Sequence, residues 1–385
     1  MRVPGPPQQQ RRRAAAVALT ALALLLAPAP APVDREPGGA ASGSTGTSSS
    51  GSASGSQALG ARELAVVVNS DDPLSEQIGT LYSRIRGIPP GQLIRIRFPA
   101  GRDSLDPARF RALRAEILSQ TPAHVQAYAI AWRTPWRVGC QSITSALSLG
   151  VDAGWCARGC RLSRTSPYFG QGDVHRPWQQ LGIRPSMLLA GVDLEQVHRL
   201  ILRGKAADGT APPGTAYLLS SSDRRRNVRA VLYRSIQEQL APALAVKVVH
   251  TDRLEGAGDV IALFTGLVRV EGLHTLRFRP GAVADHLTSF GGELTPEPTP
   301  SGQMSALRWL EAGATGSYGT VVEPCNFLAK FPSPGLLLGY YRRGDTLIEA
   351  YWRSVAMPGQ GVFIGEPLAR PWGPPAPGDR LPMGG

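Results

Sequence analysis

Apolar positions along this chain gather in short continuous runs, and polar segments carrying helix-start signals separate them. Leu64 to Val68 is an unbroken, β-branched run of the kind found in strands covered on both faces. Asn69 to Asp72 and Pro73 then offer caps for a helix reaching about Arg86, with Pro73 near its first position. Leu93 to Phe98 reads as a second strand, Asp106-Pro107 opens a helix to about Gln120, and Val125 to Trp132 is a third strand. This βαβαβ order implies right-handed crossovers and a parallel sheet.

A second series follows Pro212-Pro213-Gly214. It predicts strands at Ala216 to Ser220, Val246 to His250, Val260 to Phe264, Leu276 to Phe278 and Val283 to His286. Asp223 caps a helix through Leu240. A helix over Met304 to Ala312, a strand over Ala314 to Val321, a helix over Thr346 to Ser354 and a short strand over Gly361 to Ile364 complete the series. The fold class is therefore α/β, with one parallel-sheet subdomain over residues 61–212 and another over 213–372. No repeat of solenoid length is present.

The N-terminus has a different texture. Arg11 to Arg13 precede an apolar core, Ala14 to Leu26, and small residues with proline run on to Ala31. That order makes residues 1–31 a signal peptide, too short in its core to span a bilayer comfortably. The expected destination is secreted, periplasmic or cell-envelope, with an uncleaved tether as the alternative. Residues 32–60 are rich in Gly, Ser, Ala and Thr and read as a flexible linker with a root-mean-square span of roughly 27 Å. Residues 373–385 read as a disordered tail.

The net charge is +12, yet the lysines are only Lys205, Lys247 and Lys330, and arginines of the leader supply part of the excess. A basic chain can hold nucleic acid, but no recognition motif or aromatic-interleaved basic stretch occurs, so no nucleic-acid partner is expected. There is no phosphate-binding G-x-x-x-x-G-K-S/T loop and no G-x-G-x-x-G fingerprint, and no cofactor is expected. The glycines from Gly313 to Gly319 fit a strand that needs close backbone approach. Trp132, Trp136, Trp155 and Trp178 read as core rather than as a sugar platform. The turn from Ser220 to Arg226 could clamp an anion. Its simpler reading is a solvated surface capped by Asp223.

Four cysteines in an exported chain make an even set, for which pairing is the default. Cys156 and Cys160 flank Ala-Arg-Gly and are the expected disulfide, leaving Cys140 with Cys325. The other two connectivities stay open. Cys140, Cys156, Cys160 and His175 could form a zinc set, but the spacing is loose and no metal is expected.

Open parallel sheets bind ligands beyond the carboxyl ends of their strands. That rule collects Thr265, Gly266, Asp285, His286, Glu323, Cys325 and Asn326 at one edge. His286 with Cys325 would be the minimum for thiol chemistry, the imidazole taking the thiol proton. Asp285 cannot be assumed to orient His286, since strand neighbours point to opposite faces.

Three segments carry a resemblance: Phe264-Thr265-Gly266-Leu267-Val268, Ala284 to Ser289, and Gly365-Glu366-Pro367-Leu368. Together they resemble the second half of a gingipain-type cysteine peptidase, of the caspase-like α/β group. That family writes Tyr-x-Gly-His-Gly, then Cys at the next strand end, then Gly-Asp-Pro-x-Leu. Leu267 stands at the family's His, Val268 at its Gly, and roughly His286 at its Cys. Earlier in the chain, Arg86-Gly87-Ile88 matches a Lys-Gly turn. Val125 to Trp132 matches a strand ending in Gly-Asp, while Ser166 to Phe169 and Ile183 to Val192 sit at two further family segments. The resemblance spans about Arg62 to Pro371. The blocks Glu323 to Asn326 and Gly365 to Pro371 are closer to an uncharacterised exported bacterial family of this type.

The resemblance implies a gingipain-like, caspase-like architecture of two subdomains whose catalytic dyad is lost. A pseudoenzyme follows, since Leu267 cannot move a proton: a non-peptidase relative that binds a ligand, peptide or envelope partner in the sheet-edge cleft. The alternative is a cysteine hydrolase with the displaced pair His286 and Cys325. A structural envelope protein, using the linker as spacer, is the third reading.

Overall fold

The computed structural model describes residues 58–157 and 159–374. The signal peptide, almost all of the linker and nearly all of the C-terminal tail expected from the sequence lie outside the described residues.

The chain is mixed α/β around a ten-stranded, mostly parallel sheet. Its strands are β1 (Leu64–Asn69), β2 (Leu93–Ile96), β4 (Ala127–Ile130), β7 (Ser186–Leu188), β8 (Thr215–Ser220), β9 (Ala245–His250), β10 (Val260–Thr265), β11 (Phe278–His286), β12 (Gly316–Thr320) and β13 (Gly361–Gly365). The order is β2-β1-β4-β7-β13-β12-β11-β10-β8-β9. Four neighbours come from the first series and six from the second. The last strand, β13, closes the junction: it runs antiparallel to β12 and parallel to β7, where Ile364 partners Leu188. A small sheet joins β3 (Ser104–Leu105), β5 (Arg137–Val138) and β6 (Gln141–Ser142).

The unbroken apolar runs have a direct cause. Leu64, Val66 and Val68 enter one core cluster, whereas Ala65 and Val67 enter the cluster on the opposite face. Both faces are covered, so a period of two would leave polar side chains buried. Helix starts also follow the predicted chemistry. Asp72 accepts from the Leu74 amide, and Asp106 accepts from the amides of Ala108 and Arg109. Asp223, expected to cap a helix, instead closes the turn before Asn227, accepting from the amides of Arg225 and Arg226, and the 3₁₀ segment that follows has no side-chain cap.

Several elements differ from the pattern reading. The two short strands expected at Leu276 to Phe278 and Val283 to His286 are one strand, β11. Gly281 lets it bend: φ is +85°, and a Cβ there would lie 2.3 Å from Pro371. The helix expected from Asp223 through Leu240 is a 3₁₀ segment, Asn227–Leu232, followed by an α-helix, Tyr233–Leu240. The helix Pro334–Arg342 has no polar face to mark it, because most of its residues are buried. The helix Leu194–Ala207 and strand β7 also go beyond the pattern reading.

Candidate functional site at the carboxyl edge of the sheet

Thr265 ends β10 and His286 ends β11, and their registers match directly. The loops after β8, β10, β11 and β12 therefore gather at one edge. Backbone approach there is close: a Cβ on Gly266 would lie 2.1 Å from the Arg226 carbonyl oxygen. Ser221 Oγ donates to the Gly266 carbonyl at 2.6 Å, and Asn326 Nδ2 donates to the Arg225 carbonyl at 2.7 Å.

Asp285 and His286 point to opposite faces, as strand alternation requires. On one face, Asp285 is 1 % exposed and its Oδ1 lies 2.5 Å from Arg229 Nη2. Burial raises the Asp285 carboxyl, and the positive charge of Arg229 opposes that rise. The same guanidinium donates from Nη2 to the Thr265 carbonyl at 2.7 Å. Arg229 thus ties the 3₁₀ segment to the ends of both strands. Thr265 itself is buried, and its hydroxyl has no partner among the described residues.

On the other face, His286 is enclosed. Trp309 Nε1 donates to its Nδ1 at 3.0 Å, and its Nε2 lies 3.0 Å from the Met304 carbonyl. Since Nδ1 accepts, Nε2 carries the proton and donates it: this is the neutral ring. Burial pushes its pKa down to about 3, and the charges of Arg229, Arg226 and Arg269 push the same way. Neither nitrogen is left for a nucleophile's proton. Leu267, in the loop after β10, packs half-buried against the cluster that contains Trp309.

Cys325 does not meet His286 as a thiol. Its sulfur is joined to Cys160, and Cys140 is joined to Cys156. The expected Cys156–Cys160 bridge is therefore corrected. The 3₁₀ turn Ala153–Trp155 delivers Cys156 to Cys140, with a Cα separation of 5.9 Å, while Cys160 reaches Cys325 at 5.3 Å. These bridges also occupy three of the four side chains of the loose zinc set. Around Cys325 the loop is held in an unusual shape. Cys325 (φ 59°) and Asn326 (φ 56°) are consecutive non-glycine residues in the left-handed region, which L side chains disfavour. The Cys325 amide donates to Glu323 Oε1 at 2.7 Å, which helps to fix them.

Of the expected tryptophans, Trp132 and Trp136 are core, whereas Trp155 and Trp178 are half-buried and lie under the guanidinium groups of Arg164 and Arg184.

Beside Arg229 an open groove of about 460 Å³, its solvent mouth included, runs between the 3₁₀ segment and the loop after β12. Phe169, Leu232, Leu328, Phe331 and Pro332 line it, with Arg229. Arg229, Trp309 and this groove were not marked by the sequence. Arg229 sits in an ordinary basic stretch, and Trp309 meets His286 only through the fold.

Among the described residues, no helix is long and apolar enough to cross a membrane. The two disulfides fit an oxidising destination. No family model, curated protein or solved structure matches the chain.

Proposed function

We propose that this chain is an exported, non-peptidase relative of the gingipain-type proteins and binds a ligand, peptide or envelope partner in the cleft at its sheet edge. The observation that carries this reading is the engagement of His286. Both ring nitrogens are bonded inside the fold, and the ring stays neutral. A thiol nucleophile is equally unavailable, because Cys325 is bridged to Cys160. A run of four parallel strands beside a six-stranded unit with one antiparallel member supports the two-part architecture that the resemblance implies.

Native, non-reduced protein incubated with iodoacetamide and a mixed peptide pool tests the reading. Neither labelled Cys325 nor cleaved peptide is expected, and an immobilised peptide array should retain the protein at a subset of sequences. Rapid labelling of Cys325 with peptide turnover overturns the non-peptidase half. Uniform absence of retention removes peptide as the ligand.

A further inference from the structure

The two disulfides differ in their surroundings. Cys156 is 8 % exposed, and its neighbour Trp155 is packed tightly. A Cβ on Gly359 would lie 1.5 Å from the Trp155 carbonyl oxygen, and the Arg164 guanidinium sits over the Trp155 ring. The Cys140–Cys156 bridge is thus built into the body of the fold. Cys160, by contrast, is exposed, as are Gly159, Arg161 and Leu162 beside it. Among the described residues, no hydrogen bond or ion pair joins residues 159–163 to the loop after β12. The Cys160–Cys325 bridge alone bonds those two segments there.

The other end of that bridge is held in a conformation it disfavours. Cys325 lies at φ 59°, where the Cβ of an L residue crowds its own backbone. Asn326 follows at φ 56° and tolerates that region better. Such a shape persists only where neighbours over-determine it. Three restraints do so: the disulfide, the Cys325 amide bonded to Glu323 Oε1, and Asn326 Nδ2 bonded to the Arg225 carbonyl. The third fastens the loop after β12 to the loop after β8, beside the close approach of Gly266 to Arg226. Loss of the disulfide lets Cys325 leave the left-handed region, and Asn326 moves with it.

We propose that the Cys160–Cys325 bridge is a thiol–disulfide exchange site for an external dithiol, and that its opening frees the loop after β12 from the sheet edge. The attacking thiolate bonds to the exposed Cys160 sulfur. The electron pair of the broken S–S bond leaves on Cys325, which takes up a proton. The second thiolate of the reductant then attacks the reductant's own sulfur in the mixed disulfide, and Cys160 leaves and is protonated. The bridge gains two electrons and two protons, and the dithiol becomes a disulfide. Arg161 is next in the chain to Cys160, exposed, and has no ion-pair partner among the described residues, so it draws the anionic attacker.

The test treats native full-length protein with graded dithiothreitol, quenches with N-ethylmaleimide and maps the labelled peptides. Cys160 and Cys325 should label at least about tenfold faster than Cys140 and Cys156, because access governs exchange. Near-ultraviolet circular dichroism should stay native meanwhile. After that selective reduction, amide hydrogen exchange should accelerate at least about tenfold over residues 323–327 and stay unchanged in β10 and β11. Glutathione, a monothiol, should leave its adduct on Cys160. Arg161→Glu should slow labelling of the pair several-fold at low salt, an effect that high salt erases, with the unfolding midpoint unchanged.

Earlier labelling of Cys140 and Cys156 overturns the proposal. So does labelling of all four cysteines only with loss of the native spectrum, or a reduced loop whose amides exchange as slowly as before. None of these readouts involves a ligand or peptide cleavage, so failure here is separable from failure of the binding reading.

Discussion

Arg86 and Glu366, separated by 280 residues of chain, form a buried ion pair that ties the first helix to the end of the last strand. Arg86 Nε donates to Glu366 Oε1 at 3.0 Å, Tyr82 donates its hydroxyl proton to the same oxygen at 2.7 Å, and Asp208 pairs with the guanidinium from the other side. Arg86 and Glu366 belong to two of the segments that the sequence reading singled out. The two sequence marks thus meet at one structural joint, away from the carboxyl-edge cleft.

Breaking that joint should be costly. Glu366→Gln removes one of two carboxylates from an arginine that is nearly inaccessible, and removing one partner of a buried pair costs roughly 3–5 kcal/mol. Urea denaturation should show a loss of this size. A loss below about 1 kcal/mol, the scale of an exposed pair, would mean that Asp208 alone compensates Arg86.

Acid should act through His286. Its folded pKa is depressed to about 3 from an ordinary 6.5, so its stabilising contribution is present above pH 6.5 and is lost as pH falls toward 3. The full effect is at most roughly 5 kcal/mol. His286→Gln lacks the titration, so the stability gap between wild type and variant should shrink steadily across that window. A constant gap from pH 7 to pH 3 would contradict the enclosed neutral ring.

Disulfide mapping without reduction should return Cys140–Cys156 and Cys160–Cys325. The second bridge spans 165 residues. By loop-closure entropy, such a long loop is worth up to roughly 5 kcal/mol. Cys325→Ser should therefore lower stability by roughly 2–5 kcal/mol and speed proteolysis in the loop after β12. Recovery of a Cys156–Cys160 peptide would reverse the correction made above.

The sequence exposed most strands because continuous apolar runs follow from burial on both faces, a local signal. It also placed Thr265, Gly266, Asp285 and His286 at one edge, since a strand-end rule needs only the strand boundaries. What it could not expose was pairing between distant segments. Whether Cys160 meets Cys156 or Cys325, and whether His286 meets a thiol or Trp309, depends on loops that lack periodicity. The helix Pro334–Arg342 escaped for the opposite reason: burial nearly all round erases the amphipathic contrast that marks a helix.

Lys330 supplies the last test, because its burial is unusual for a charged side chain. It is fully inaccessible, its ammonium has no hydrogen-bond partner among the described residues, and its nearest aromatic face, Phe327, lies 5.4 Å away. Burial pushes its amine down to about 8, a shift that Glu323 only partly opposes. With a folded pKa below the ordinary 10.5, the unfolded chain holds the proton more tightly. Stability should therefore rise as pH climbs from about 8 to 10.5. Lys330→Met removes the penalty while filling similar volume, so it should stabilise the protein near neutral pH by roughly 3 kcal/mol. That advantage should fade as the wild-type amine loses its proton at higher pH. Thermal unfolding across pH 7 to 10.5 decides the matter: a variant less stable than wild type at every pH would show that the amine has a stabilising partner in solution.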